Sequence, residues 1–183
     1  MNPSPNLFLI GPMGAGKSSI GRQIALHFHM PCIDLDAAVE ERTGASVATI
    51  FEIEGEAGFR RRESALLAEI AARSGIVLAT GGGAVLSADN RQVLREHGFV
   101  VWLETGIDAQ MQRLAHDRKR PLLDTLDRRE RLEELARERE PLYRELADLT
   151  VHGGGESCRH AAARAATLLE QHWQRLPATK EPA

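Results

Sequence analysis

Gly11-Pro12-Met13-Gly14-Ala15-Gly16-Lys17-Ser18 follows the apolar run Leu7-Phe8-Leu9-Ile10 and precedes Ser19-Ile20-Gly21-Arg22-Gln23-Ile24-Ala25-Leu26. The order reads strand, glycine loop, helix, with the G-x-x-x-x-G-K-[ST] spacing of a phosphate-binding P-loop. Each residue type has a physical task. Glycines let the backbone bring its N–H groups against phosphate oxygens where a Cβ would intrude. Lys17 is a compact point charge for the outer phosphates, and the Ser18 hydroxyl can ligate Mg²⁺. The start of the following helix adds partial positive charge at the same place. The basic residues number 23, of which three are lysines, Lys17, Lys119 and Lys180. In so arginine-biased a chain a lysine in the loop points to phosphate binding, because a planar guanidinium does not fit where an ammonium is cradled.

The chain has 183 residues, a length that suits one domain with a real core. A formal charge of −3 gives no basic field for nucleic acid. No run approaches the roughly 20 apolar residues of a membrane span, and none reads as a signal peptide. Cys32 and Cys158 are far apart and belong to no Cys/His ligand set, which fits free thiols in a reducing compartment. The expectation is a cytoplasmic monomer with small-molecule partners.

Segments alternate between strand and helix, the pattern of a parallel sheet covered on both faces. Strands are expected at Leu7–Ile10, Pro31–Asp36, Ile76–Thr80, Phe99–Leu103 and Leu149–His152. Between them helices are expected after Ser18, over Ala37–Arg42, over Val47–Ile53 up to the break at Gly55, and from Phe59. Further helices are expected over Ala88–His97, Asp108–Ala115 and Arg128–Arg139, and a last one runs to about Trp173. Pro141 should start or kink a new turn. Ligands of such sheets bind beyond the carboxyl ends of the strands.

Several residues near those ends could carry chemistry. Asp34 and Asp36 leave the second strand on opposite faces if the strand persists, so one could reach Mg²⁺ through water while the other meets a substrate hydroxyl. One of them could instead be the N-cap of the next helix. Gly81-Gly82-Gly83 is either a sharp exit from the sheet or a set of bare N–H groups for a ligand. Arg60, Arg61 and Arg62 point about 100° apart on a helix, so at most one or two can face one pocket. The stretch from Arg113 through Arg118, Lys119 and Arg120 is either a solvated loop or one that brings an arginine over a γ-phosphate.

Taken in order, GPMGAGKSSIG, DLD, GEAGFRRRE, GGGAV, RPLL and REPLY resemble shikimate kinase over about residues 7–147. The resemblance implies an α/β P-loop kinase fold of the nucleoside monophosphate kinase type. Its parts are a five-stranded parallel sheet in the order 2-3-1-4-5 flanked by helices, a substrate-binding region at about 34–62 and a mobile lid at about 113–126. A single domain over 1–183 with a flexible tail at about 177–183 completes that picture. The implied reaction is phosphorylation of the 3-hydroxyl of shikimate by ATP with Mg²⁺. Gly14, Ala15, Gly16, Lys17, Ser18 and Ser19 would hold the ATP phosphates, Ser18 the metal, and Asp34 the metal through water. Asp36 would bind shikimate hydroxyls and serve as the base. Arg60 and Arg139 would bind the carboxylate, Gly82 would add a backbone contact, Arg120 would be the lid arginine, and Arg113 would touch the nucleotide. The family's arginine after the last strand is replaced here by Gly153-Gly154-Gly155-Glu156-Ser157, with Arg159 nearby.

Two other readings compete. Another small-molecule kinase, such as a gluconate kinase, would share the P-loop without needing both Arg60 and Arg139. A guanine-nucleotide switch would show Asn-Lys-x-Asp, and no asparagine here precedes a lysine.

Overall fold

The computed structural model describes residues 2–115, 127–153 and 156–178. Within them, strand β1 (Leu7–Ile10) is followed by helix α1 (Lys17–Phe28), β2 (Cys32–Asp34), α2 (Leu35–Thr43) and α3 (Val47–Ala71). Then come β3 (Val77–Ala79), a 3₁₀ turn (Ala84–Leu86), α4 (Ala88–His97), β4 (Phe99–Glu104) and α5 (Ile107–Leu114). Helix α6 (Arg128–Leu146), β5 (Leu149–His152) and α7 (Cys158–His172) complete the order. The strands form one sheet, β2-β3-β1-β4-β5, and every pair is parallel.

All four residues of β1 are buried, as a central strand with covered faces requires. Their alternation divides the core. Leu7 and Leu9 pack with Ile24 of α1 and Leu169 of α7 on one face. Phe8 and Ile10 pack with Leu67 of α3, Leu94 of α4 and Tyr143 of α6 on the other. The chain leaves β1 toward β2 on one side and reaches β4 on the other. The strand order therefore reverses beside β1, and the crevice at that switch point receives the P-loop.

The expected architecture is present, with three local differences. Strand β2 ends at Asp34 and α2 starts at Leu35, so Asp36 sits in the first turn of a helix rather than on a strand. An acid there is favoured by the helix dipole. The two helices expected around Gly55 are joined end to end as α3, kinked where Gly55 takes φ 69° and ψ 178°. Helix α6 runs through Pro141 to Leu146 instead of ending near Arg139. Its buried residues Leu132, Leu135, Arg139, Tyr143 and Leu146 continue one face past the proline.

Candidate active site

The P-loop is built so that its polar groups converge. Gly16, with φ 88°, is the residue before α1, and no side chain caps that helix. The first turn of α1 also holds no acid, leaving its N–H groups available to an anion. Lys17 is buried, and its Nζ donates to the carbonyls of Gly11 and Pro12 at 2.8 Å each. These bonds fold the ammonium back over the loop, where phosphate oxygens would lie. Arg113, in the last turn of α5, donates to the carbonyls of Gly14 at 3.0 Å and Ala15 at 3.4 Å. Arg113, to which the resemblance assigns the nucleotide, thus stands against the loop.

A cleft of about 570 Å³ runs from this loop to α3, the Gly81–Gly83 turn and α6. It brings together Gly14, Gly16, Lys17, Ser18, Ser19, Asp34, Asp36, Arg60, Gly82, Arg113 and Arg139. Ala15 is buried within the loop. Arg120 and most of the expected lid lie outside the described residues, as does the tail beyond Ala178. Of the three successive arginines, Arg60 lines the cleft; Arg62 turns away to pair with Glu54, and Arg61 is exposed.

Asp34 is the N-cap of α2, its Oδ1 accepting from Ala37 N at 3.1 Å. The capping alternative raised by the sequence therefore holds for Asp34, without removing it from the cleft. Mg²⁺ is a hard cation that takes one or two carboxylates together with phosphate oxygens and water. Ser18 and Asp34, a hydroxyl and a carboxylate in one cleft with a phosphate loop, are donors of that kind.

At the far end stands Glu63, a residue not among those expected above, which is 0% exposed. Its Oε2 accepts from Arg60 Nη1 at 2.6 Å, and Glu56 accepts from Arg60 Nε at 3.3 Å and Nη2 at 3.1 Å. Burial works against the Arg60 charge, but the two carboxylates outweigh it and hold the guanidinium protonated. Burial raises the Glu63 pKa, opposed by Arg60 and reinforced by Asp36. The glycine turn closes on these groups. A Cβ on Gly83 would meet Arg60 Nη2 at 2.1 Å, and one on Gly81 would meet Glu63 Oε1 at 2.4 Å and Asp36 Oδ1 at 3.0 Å. Without a Cβ the turn lies directly against these side-chain ends.

Two buried polar atoms at this end, Glu63 Oε1 and Arg139 Nε, make no hydrogen bond among the described residues. Arg139 is 4% exposed, with Glu138 Oε2 at 3.5 Å from its Nε. Buried polar atoms are nearly always satisfied; the Glu138 carboxylate stands nearest Arg139 Nε, and both Glu63 and Arg139 line the cleft. The i,i+3 spacing of Arg60 and Glu63 was the available sequence signal for this pair.

A phosphate loop at the switch point of a five-stranded parallel sheet, facing a second polar subsite, defines a P-loop kinase of small molecules. The shikimate kinase family model matches residues 13–170, and the chain belongs to the shikimate kinase family. It is 52% identical over 167 residues to a shikimate kinase of Vibrio cholerae, covering 91% of this chain and 96% of that one. With a shikimate kinase of Thioalkalivibrio sulfidiphilus it shares 57% over 159 residues, 87% of this chain and 84% of the relative. Among solved structures, shikimate kinase from Acinetobacter baumannii in complex with shikimate superposes with a TM-score of 0.89 at 42% identity, covering 93% and 95% of the two chains. A gluconokinase from Sinorhizobium meliloti is similar in fold alone, with a TM-score of 0.54 at 19% identity.

Proposed function

We propose that this protein transfers the γ-phosphoryl group of ATP to the 3-hydroxyl of shikimate, a step of chorismate and aromatic amino-acid biosynthesis. The observation that carries the reading is the pair of arginines, Arg60 and Arg139, held in the same cleft as the P-loop lysine. Two guanidiniums can fork their donors onto one small carboxylate, the group shikimate carries; gluconate carries one too, and the match to the shikimate kinase family favours shikimate.

Phosphoryl transfer asks for positioning and charge neutralisation more than for covalent chemistry by the protein. Lys17 and the N–H groups of Gly14 to Ser19 orient the phosphates, with Arg113 at the nucleotide. Ser18 and Asp34 would hold Mg²⁺, which when bound neutralises phosphate charge. Asp36 orients the acceptor hydroxyl and takes its proton as the O–P bond forms and the bond to ADP breaks. Gly82 adds a backbone contact. The resemblance assigns Arg120 to the γ-phosphate. A cytoplasmic setting agrees with the reaction, and no helix among the described residues is long and apolar enough to cross a membrane.

Product analysis tests this reading. Incubation with ATP, Mg²⁺ and shikimate should yield a phosphate monoester whose ³¹P signal couples to the proton on carbon 3. A product phosphorylated elsewhere, or no ester despite ATP binding, would refute it.

A further inference from the structure

We propose that Tyr143 is a positioning residue for the acceptor, its hydroxyl fixing the direction in which the Gly81–Gly83 turn presents its N–H groups. The inference rests on the acceptor subsite described above. Tyr143 and Arg139 lie one turn apart on α6, an i,i+4 pair on the same face. The Tyr143 side chain is 1% exposed, and its ring packs against Trp102 with centroids 5.9 Å apart. Its Oη donates to the carbonyl of Gly82 at 2.5 Å.

That bond decides which way a peptide faces. The described chain has no cis peptide bond, so each N–H points opposite to the carbonyl of its own peptide. Drawing the Gly82 carbonyl toward α6 turns the Gly83 N–H away from it. The neighbouring peptide is set in the same manner: the Gly81 carbonyl accepts from Ala84 N at 3.2 Å, which orients the Gly82 N–H. Three successive glycines have no side chains with which to hold these planes and are conformationally permissive. All three line the cleft beside Arg60 and Arg139. One hydroxyl thus joins the glycine turn to the helix that carries Arg139. Burial holds the Tyr143 pKa well above its ordinary value against the pull of Arg139 and Arg60, so the phenol stays a donor at neutral pH.

Tyr143→Phe keeps the ring and deletes the hydroxyl. Steady-state kinetics on the purified variant should show the KM for shikimate raised about tenfold, as loss of one buried hydrogen bond allows, with the KM for ATP unchanged. Hydrogen exchange of the unliganded protein should be faster at the amides of residues 81–86. Parallel rises in both KM values with a lowered Tm would mean a merely structural tyrosine and overturn the proposal. Faster exchange with an unchanged KM for shikimate would overturn it too. If the wild-type protein fails to phosphorylate shikimate, the acceptor reading falls separately. The exchange arm then still decides: unchanged exchange removes the hydroxyl's hold on the turn, and faster exchange sustains it.

Discussion

Glu63 shows how one buried side chain can serve both stability and the site. It is enclosed by Arg60, Gly81 and Asp36, and burial raises its pKa while Arg60 opposes the rise. The folded state therefore holds this proton more tightly than the unfolded chain does. Its favourable contribution is complete below the ordinary carboxylate value of about 4.3 and is lost as pH rises through the folded-state pKa. Glu63→Gln removes that dependence. The Tm of the variant minus that of the wild type should become more positive as pH rises from about 4 toward neutrality. Thermal melts across a pH series check this, and parallel curves would contradict it. Under the proposed function Arg60 and Arg139 hold the substrate carboxylate, and Arg60 also pairs with the buried Glu63. Arg60→Ala or Arg139→Ala should raise the KM for shikimate by roughly 10- to 100-fold, the worth of a charge-assisted hydrogen bond. Lys17→Ala should instead lower kcat by on the order of a hundredfold or more, since its charge meets phosphate in the transition state. Comparing kcat and KM across the three variants separates these roles.

Among the elements, the P-loop was fully legible because its signal is local: the turn, the lysine and the helix start are contiguous from Gly11 to Ser18. Most strands were legible from apolar runs next to glycines, and β2 from an apolar run ending in acids. The β2–α2 junction was not, because Leu35 is apolar and extends the strand pattern, whereas Asp34 caps a helix that begins at Leu35. Helix α6 defeated the rule that proline interrupts helices. Proline in a helix interior costs about 3 kcal/mol, a cost offset here by the burial of Tyr143 and Leu146 beyond it. The Arg60–Glu63 pair left a local i,i+3 signal within α3, whereas Tyr143 was illegible because its contact is with a distant element. The Gly82 carbonyl lies 61 positions from Tyr143 in sequence. Packing between elements is equally tight elsewhere. At Gly98, between α4 and β4, a Cβ would meet Phe8 Cδ2 of β1 at 2.2 Å. Gly98→Ala should therefore destabilise the protein by about 1–3 kcal/mol, the usual cost of overpacking. Urea unfolding measures it, and an unchanged midpoint would show that β1 and β4 can part at no cost.

On the scale of the whole molecule, the reversal of strand order beside β1 places phosphate loop, glycine turn and the helices bearing Arg60 and Arg139 around one cleft. Two apolar layers, one on each side of the sheet, hold that arrangement. Ligands that fill the cleft should stabilise the fold by mass action. At 100 times its Kd a ligand adds about 2.7 kcal/mol, roughly 5–11 °C in Tm for a chain of this size. Shikimate should give such a shift in the wild type and little in Arg139→Ala, while ATP with Mg²⁺ shifts both. Equal responses to shikimate would move its site away from Arg139. The most direct test of the whole account is ADP release by the purified protein with ATP and Mg²⁺, in the presence of shikimate, of gluconate or of no acceptor. The account predicts turnover that depends on shikimate and stays at background in the other two reactions. ADP formed with gluconate and not with shikimate would contradict it.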